Sequence, residues 1–346
     1  MRIKGLDFLR GIAIIGVLFR HNEINLFLSG PGGYGVDLFF VLSGFLVSGL
    51  LFSEYKKRNR VNIKRFLIRR GFKIYPAFYF FILSTILIFS FGFDGHFAKS
   101  SILSEVFFMQ SYFQPMWSHT WSLAVEEHFY LIIALMIYLV IKFKLIRRKR
   151  LMTGMFTGII LLTIILRYNH VMMSTDQASA PFFYTHLRID GLFMGALLGY
   201  VYHFIPEAIK LFYSRWKIFA ILTLILLSPA FIFSTGSFFM LTIGFNLLHL
   251  AFAFAVLLFV HDGWRKITES HRLSSAIISA VCTIGVYSYS IYLWHLPVQN
   301  LLLRVMPDLR LEALAYLFSS IAVGIIFSFL IEKPMLRLRD NIFPKS

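Results

Sequence analysis

Arg10 and His21 sit eleven residues apart in an apolar run that begins at Leu6. At about 100° per residue that spacing brings both to within roughly 20° on one helix face, about 16 Å apart along the axis. An imidazole titrates near neutrality, so it can take the proton of a hydroxyl attacking an acyl carbon, or accept the acyl group itself. Arg20 interrupts the same run, and further ionisable side chains interrupt later ones: Glu126, Glu127, His128, Arg188, Asp190, His249 and His295. Each is costly to bury in hydrocarbon and is therefore a functional candidate. Taken singly, Arg10 reads as a cation snorkelling to headgroups and His21 as a hydrogen-bonded core histidine. Taken together, His21, Glu126, Arg188 and His295 point to a polar chamber, catalytic or transporting.

Two more groups are suited to a ligand. Ser43 and Gly44 either pack helices through small residues, with Ser48 and Gly49 one turn on, or let a ligand approach the backbone beside a hydroxyl. Arg65, Arg69, Arg70 and Lys73 lie in a link that ends at Tyr75 and Pro76. A topology signal accounts for many such clusters, yet guanidinium forks also suit nucleotide phosphates, and coenzyme A is a cytosolic polyanion.

These residues must be held by elements built for lipid. Of 346 residues, 58% are hydrophobic and 15% charged, more apolar than a water-soluble core requires. A span needs about 20 apolar residues. Ten candidates follow one another: Leu6 to Phe27, Gly35 to Ser53, Ile74 to Phe93, Trp121 to Ile141, Met152 to Leu166, Pro181 to His203, Trp216 to Phe233, Phe238 to Val260, Ala276 to Leu303 and Leu311 to Ile331. The expected fold is all-α, with ten transmembrane helices around a polar chamber in one domain over residues 1–346 and no appended soluble domain. Arg20 and His21 break the first apolar run and no small-x-small cleavage pattern follows, so this run reads as a retained span rather than a signal peptide.

Lys and Arg number 34 against 17 Asp and Glu. In a soluble protein that excess would suggest nucleic acid, but here the cations concentrate in alternate links, nine of them between Lys56 and Lys73. The other links hold only Lys99, Arg167, Arg304 and Arg310. Both termini are therefore expected in the cytosol, with no nucleic-acid partner. The stretch from Asp94 to Thr120 is too long for a simple turn and is expected to dip into the protein or cover it from outside. The single cysteine, Cys282, forms no internal disulfide and offers no cysteine metal site. No internal repeat supports an inverted-repeat transporter.

In order along the chain these motifs resemble the acyltransferase-3 family of bacterial membrane acyltransferases. The resemblance rests on Leu6-Asp7-Phe8-Leu9-Arg10 with His21, on Phe39-Phe40 with Ser43-Gly44, and on Arg69, Arg70, Lys73, Tyr75 and Pro76. It continues through Trp121, Ser122, Leu123, Glu126, Phe129 and Tyr130, then Arg188, Asp190 and Gly191. Tyr287, Ser288, Tyr292, Trp294, His295 and Pro297 follow, and Glu332-Lys333-Pro334 completes it. Two positions depart: Lys73 where the family often has arginine, and His128 where glutamine is usual. Lys73 keeps the charge and loses the fork.

The resemblance implies transfer of an acyl group, most simply acetyl from acetyl-coenzyme A, to a hydroxyl of a cell-envelope glycan or glycolipid at the bacterial inner membrane. His21, Glu126 and Arg10 would be catalytic. Arg69, Arg70, Lys73, Ser43 and Gly44 would hold the donor, and Trp121, Arg188, Asp190 and His295 the acceptor. Acyl-coenzyme A enters as a substrate; no resident cofactor and no metal is expected. A flippase for a glycan intermediate would want a similar polar track, and a non-catalytic scaffold would not; cleavage of the thioester separates the enzyme from the flippase.

Overall fold

The computed structural model describes residues 3–22, 26–92, 96–173, 183–261, 272–305 and 309–344. Among them there are helices and no strands. Lipid offers backbone groups no hydrogen-bond partner, so long apolar runs close their N–H and C=O groups within helices. Helices α1 to α4 are Lys4–Asn22, Leu26–Gly32, Gly35–Arg58 and Ile63–Gly92. α5 (Lys99–Val106) lies in the link before α6 (Trp121–Lys142), and α7 is Lys149–Met173. A short turn, α8 (Thr185–Arg188), leads into α9 (Asp190–Phe204), α10 (Pro206–Ser214), α11 (Trp216–Leu227) and α12 (Pro229–Ile232). After a π-helical turn at Met240–Gly244 come α13 (Phe245–Val260), α14 (Arg272–Val286), α15 (Ser288–Val305) and α16 (Leu309–Phe327). A second π turn, Ser328–Glu332, joins α16 to the amphipathic α17, Lys333–Ile342.

Among the described residues six helical stretches are long and apolar enough to cross a bilayer: Ser29–Arg58, Ile63–Ser90, Ser118–Lys142, Lys149–Met173, Met240–Val260 and Ala313–Ile342. Two bent pairs bring the number to as many as eight. The run read as one span from Ala276 to Leu303 is one of these pairs, bent by 77° between Val286 and Ser288. The other bends by 99° before Pro206, whose ring starts α10 and cannot continue α9. The segment holding Arg65, Arg69, Arg70 and Lys73, read as a link, is helical and continuous with the apolar part of α4 through Pro76. The basic side chains are thus fixed in register on a span. Arg167, assigned to a link by charge counting, is buried on α7. Asp176 and most of the basic link from Arg265 to Arg272 lie outside the described residues.

Close crossings set the architecture. α3 lies against α9 with Gly44 facing the Leu192 carbonyl and Gly195 facing the Val41 carbonyl. A Cβ on Gly44 would sit 2.0 Å from that oxygen, so the small residues bring two backbones together. Gly44 is therefore filled by a helix, which corrects its assignment to the donor site. α1 crosses α14 in the same way, Gly285 on the Asp7 carbonyl and Gly11 on the Val281 carbonyl. Cations gather at one end of the bundle, where Lys56 donates to the His203 carbonyl and Arg147 to Asn59. There Arg69 pairs with Asp340 at 2.8 Å and donates to the Phe343 carbonyl, and Arg65 donates to the Pro344 carbonyl. α17 is thereby strapped along the basic face of α4.

The described part of the link before α6 folds onto the bundle. Phe108 adopts a left-handed backbone (φ 55°) and stacks on Phe78 of α4 at 4.6 Å, while Tyr79 donates to the Val106 carbonyl. Glu105 is fully buried and accepts from the Thr120 hydroxyl at 2.6 Å and the Met116 N–H at 3.1 Å. It thereby pins the turn that carries His119.

Candidate active site

Three polar groups lie inside the helices. Nearest the end of the bundle opposite the cations is a group of imidazoles. His21, from the last turn of α1, lies 5.0 Å from His295 of α15 between ring centroids, and His119 lies 4.7 Å from His295. His295 Nδ1 is 2.6 Å from the Tyr292 carbonyl and His119 Nε2 is 3.2 Å from the Leu293 carbonyl. A carbonyl only accepts, so each of these nitrogens carries the proton. His295 Nε2 and His119 Nδ1 are then bare lone pairs, buried and without a partner among the described residues. Tyr292 ties the group to α6, donating to the His119 carbonyl and meeting the Ser122 hydroxyl, both at 2.7 Å. The group can therefore receive a proton from a substrate hydroxyl.

A carboxylate–cation group lies deeper. Glu126 accepts from Tyr130 at 2.7 Å, and Tyr130 meets the Ser43 hydroxyl at 2.9 Å. The Arg70 guanidinium lies 5.3 Å over the Tyr130 ring. Arg10, Arg70 and Lys73 all act electrostatically on Glu126, and Lys73 is also within reach of Glu332. Three cations, Arg10, Arg70 and Lys73, thus face three carboxylates, Glu126, Glu332 and Glu127, on the last of which Arg70 also acts. Arg10, Ser43, Arg70, Lys73 and Glu126 are each only half-buried, as residues lining a cavity are. Next to Glu126, Glu127 is held by the Tyr75 hydroxyl at 3.0 Å.

The third group is closed on itself. Asp37 binds Arg188 at 2.8 Å and His249 at 2.9 Å, while Asp190 binds Arg167 at 2.7 Å and Asn246 at 2.8 Å. Arg188 lies 4.0 Å from the Phe245 ring centroid and 5.3 Å from that of Trp121. Two arginines pair with two aspartates, and His249 lies between the two carboxylates, 2.9 Å from Asp37 and 3.5 Å from Asp190. Removing one member would strand a charge, so this group fixes α3, α7, α9 and α13 in register.

The structure thus brings His21 and His295 together, and Arg10, Arg70, Lys73, Ser43 and Glu126 together. It separates Glu126 from His21: the carboxylate engages Tyr130 and does not orient the imidazole. Arg69 faces Asp340 rather than the chamber. Arg188 and Asp190, expected to bind acceptor, are committed to Asp37 and Arg167, with Trp121 packed on Arg188. His119, Asp37, Arg167 and Asn246 were missed. For His119 a signal existed, because the aromatic, polar stretch before Trp121 was already marked for re-entry. The others have no motif, since their partners lie up to 212 residues away.

A family model described as an acyltransferase domain matches residues 3–333. The chain belongs to the acyltransferase-3 family. This acyltransferase is 29% identical over 321 residues to O-acetyltransferase OatA of Staphylococcus aureus (strain NCTC 8325 / PS 47), covering 86% of its own length and 50% of that protein. To the S. aureus (strain COL) protein SACOL0978 it is 28% identical over 351 residues, 94% of its own length and 55% of the relative. It therefore spans about half the length of these relatives. No solved structure matches it. With its apolar helices, family membership makes it a multi-pass membrane acyltransferase.

Proposed function

We propose that this acyltransferase moves an acetyl group from cytosolic acetyl-coenzyme A to a hydroxyl of an extracytoplasmic glycan or glycolipid. The observation that carries the reading is the polar column through the bundle, from the cationic face of α4, past Arg70, Tyr130 and Glu126, to Tyr292 and the imidazoles. A water-soluble polyanionic donor and an acceptor on the other side of a bilayer require such a column, and a thin pantetheine arm suits it. The relatives named as O-acetyltransferases support acetyl as the group and oxygen as the acceptor atom. We take the fold as ten spans with both termini in the cytosol of a bacterial inner membrane, because the basic end then obeys the positive-inside rule.

Within this reading Arg70 and Lys73 meet the donor's phosphates, and Arg10 meets the pantetheine-phosphate end of the donor. His21 takes the acceptor's proton as its oxygen attacks, and His295 and His119 spread the positive charge that results. Direct transfer and an acyl-histidine both fit this geometry.

The test is thioester cleavage. Protein in proteoliposomes supplied with acetyl-coenzyme A on the α4 face should release free thiol in step with ester formation on the opposite side. Arg70→Ala should raise the donor KM and flatten its salt dependence, while Arg69→Ala, whose partner is Asp340, should change it less. Glycan movement without thiol release would leave a flippase instead.

A further inference from the structure

We infer that Tyr112, Tyr184 and His186 form a stacking platform for a pyranose ring of the acceptor, a proposal that rests on the reading of the acceptor as a glycan. Their rings share one orientation: Tyr112 and Tyr184 at 5.5 Å and 16°, Tyr112 and His186 at 5.7 Å and 10°, Tyr184 and His186 at 5.6 Å and 21°. A column of three rings would place its outer pair at twice the spacing of its neighbours. Near-equal spacings mean a triangle of near-parallel, offset rings instead, a cluster wider than a single column. His186 is exposed and Tyr112 is 38% exposed, so this is not a core packing cluster.

The platform is fixed before anything binds. The Tyr112 hydroxyl lies 3.2 Å from His186 Nδ1 and accepts the His186 N–H at 3.3 Å. Beneath it the Ser111 and Thr185 hydroxyls meet at 3.0 Å, and Thr185 meets His128 Nδ1 of α6 at 2.7 Å. His170 stands edge-on to Tyr184 at 6.1 Å, and its buried Nε2 has no partner among the described residues.

A gluco-configured pyranose carries axial C–H bonds on its faces and hydroxyls around its rim. The slightly positive C–H face suits the negative face of an aromatic ring, and the rim hydroxyls suit the exposed His186. Other exposed aromatics on the same link look different: Phe107 and Phe113 are 69% and 62% exposed and have no polar edge. The platform also leads to the chemistry, because Phe183 beside it packs on Trp121 at 5.2 Å, and Trp121 stands between His119 and Ser122.

Saturation-transfer NMR on the full chain in nanodiscs, with chitotetraose as the probe and no donor present, tests this directly. Ring-face protons of the sugar should be saturated in the parent and in Tyr112→Phe. In Tyr112→Ala the apparent affinity should fall by about three- to tenfold, the worth of one aromatic contact. Should Tyr112→Ala fail to insert, the exposed His186→Ala decides by the same measure. No saturation in the parent, or parent-like binding in the alanine variant, overturns the platform. Because no donor is present, an inactive protein that binds chitotetraose would sink the acyl-transfer reading alone, and an active one that does not would sink the platform alone.

Discussion

An imidazole whose one nitrogen is committed to a carbonyl has a single nitrogen left for chemistry, and His119 and His295 are both in that position beside His21. His21→Ala should lower transfer by roughly 10²- to 10⁴-fold, the usual range for a general base, in a protein that still inserts; near-parent turnover of the purified variant would remove His21 from the chemistry. His119→Ala should cost less than His21→Ala, because it takes away a neighbour and not the base, and measured rates in the opposite order would exchange the two roles. Glu126 shares no hydrogen-bond partner with His21. The logarithmic rate losses of Glu126→Gln and His21→Ala should therefore add in the double variant, as for independent sites. The imidazole pair His21 and His295 was legible from residue type and span position. The partner of Glu126 was not, because two carboxylates, three cations and a tyrosine in one set of spans allow many pairings until the helices are packed.

At the scale of the element, α3 and α9 meet backbone to backbone at Gly44 and Gly195. Gly44→Ala should push them apart, at about 1–3 kcal/mol for overpacking a closed contact, with a lower melting temperature in detergent and no selective effect on donor KM. A donor KM that rose without loss of stability would return Gly44 to the donor site. In the link before α6, burial pushes the Glu105 carboxyl up to about 7, against the hydrogen bonds from Thr120 and the 116–117 backbone. Its folded pKa exceeds the unfolded value of 4.5. The protonated form is therefore the better fit, and its contribution is complete below the unfolded value and lost as the pH rises through about 7. Glu105→Gln should flatten the fall in thermal stability over that interval, and an unchanged slope would place the titration elsewhere. Apolar run length made the helices readable, but the two bends were not. A kink before Pro206 has a sequence cause, whereas the break between Val286 and Ser288 has no proline to announce it.

For the molecule as a whole, the distribution of cations gives the orientation its test. In a Cys282→Ser background, Cys introduced at Lys57 should resist an impermeant thiol reagent in intact cells and Cys at Ser100 should react; the reverse pattern would invert the membrane and the direction of transfer. The charge bias that orients the chain also hides how its cations are used. Counting assigns Arg69, Arg70 and Lys73 one role, yet Arg69 meets α17 and Lys73 meets the chamber, because neighbours on a helix turn to different faces. Arg69 and Asp340 are 271 residues apart, which sets a clock during synthesis. At about 5–20 residues per second, α4 is complete tens of seconds before its anionic partner exists. In that interval the Arg69 guanidinium has no Asp340 to meet, and the acidic headgroups of the leaflet are a counter-ion close at hand. Arrival of Asp340 then gives Arg69 a counter-ion from within the protein.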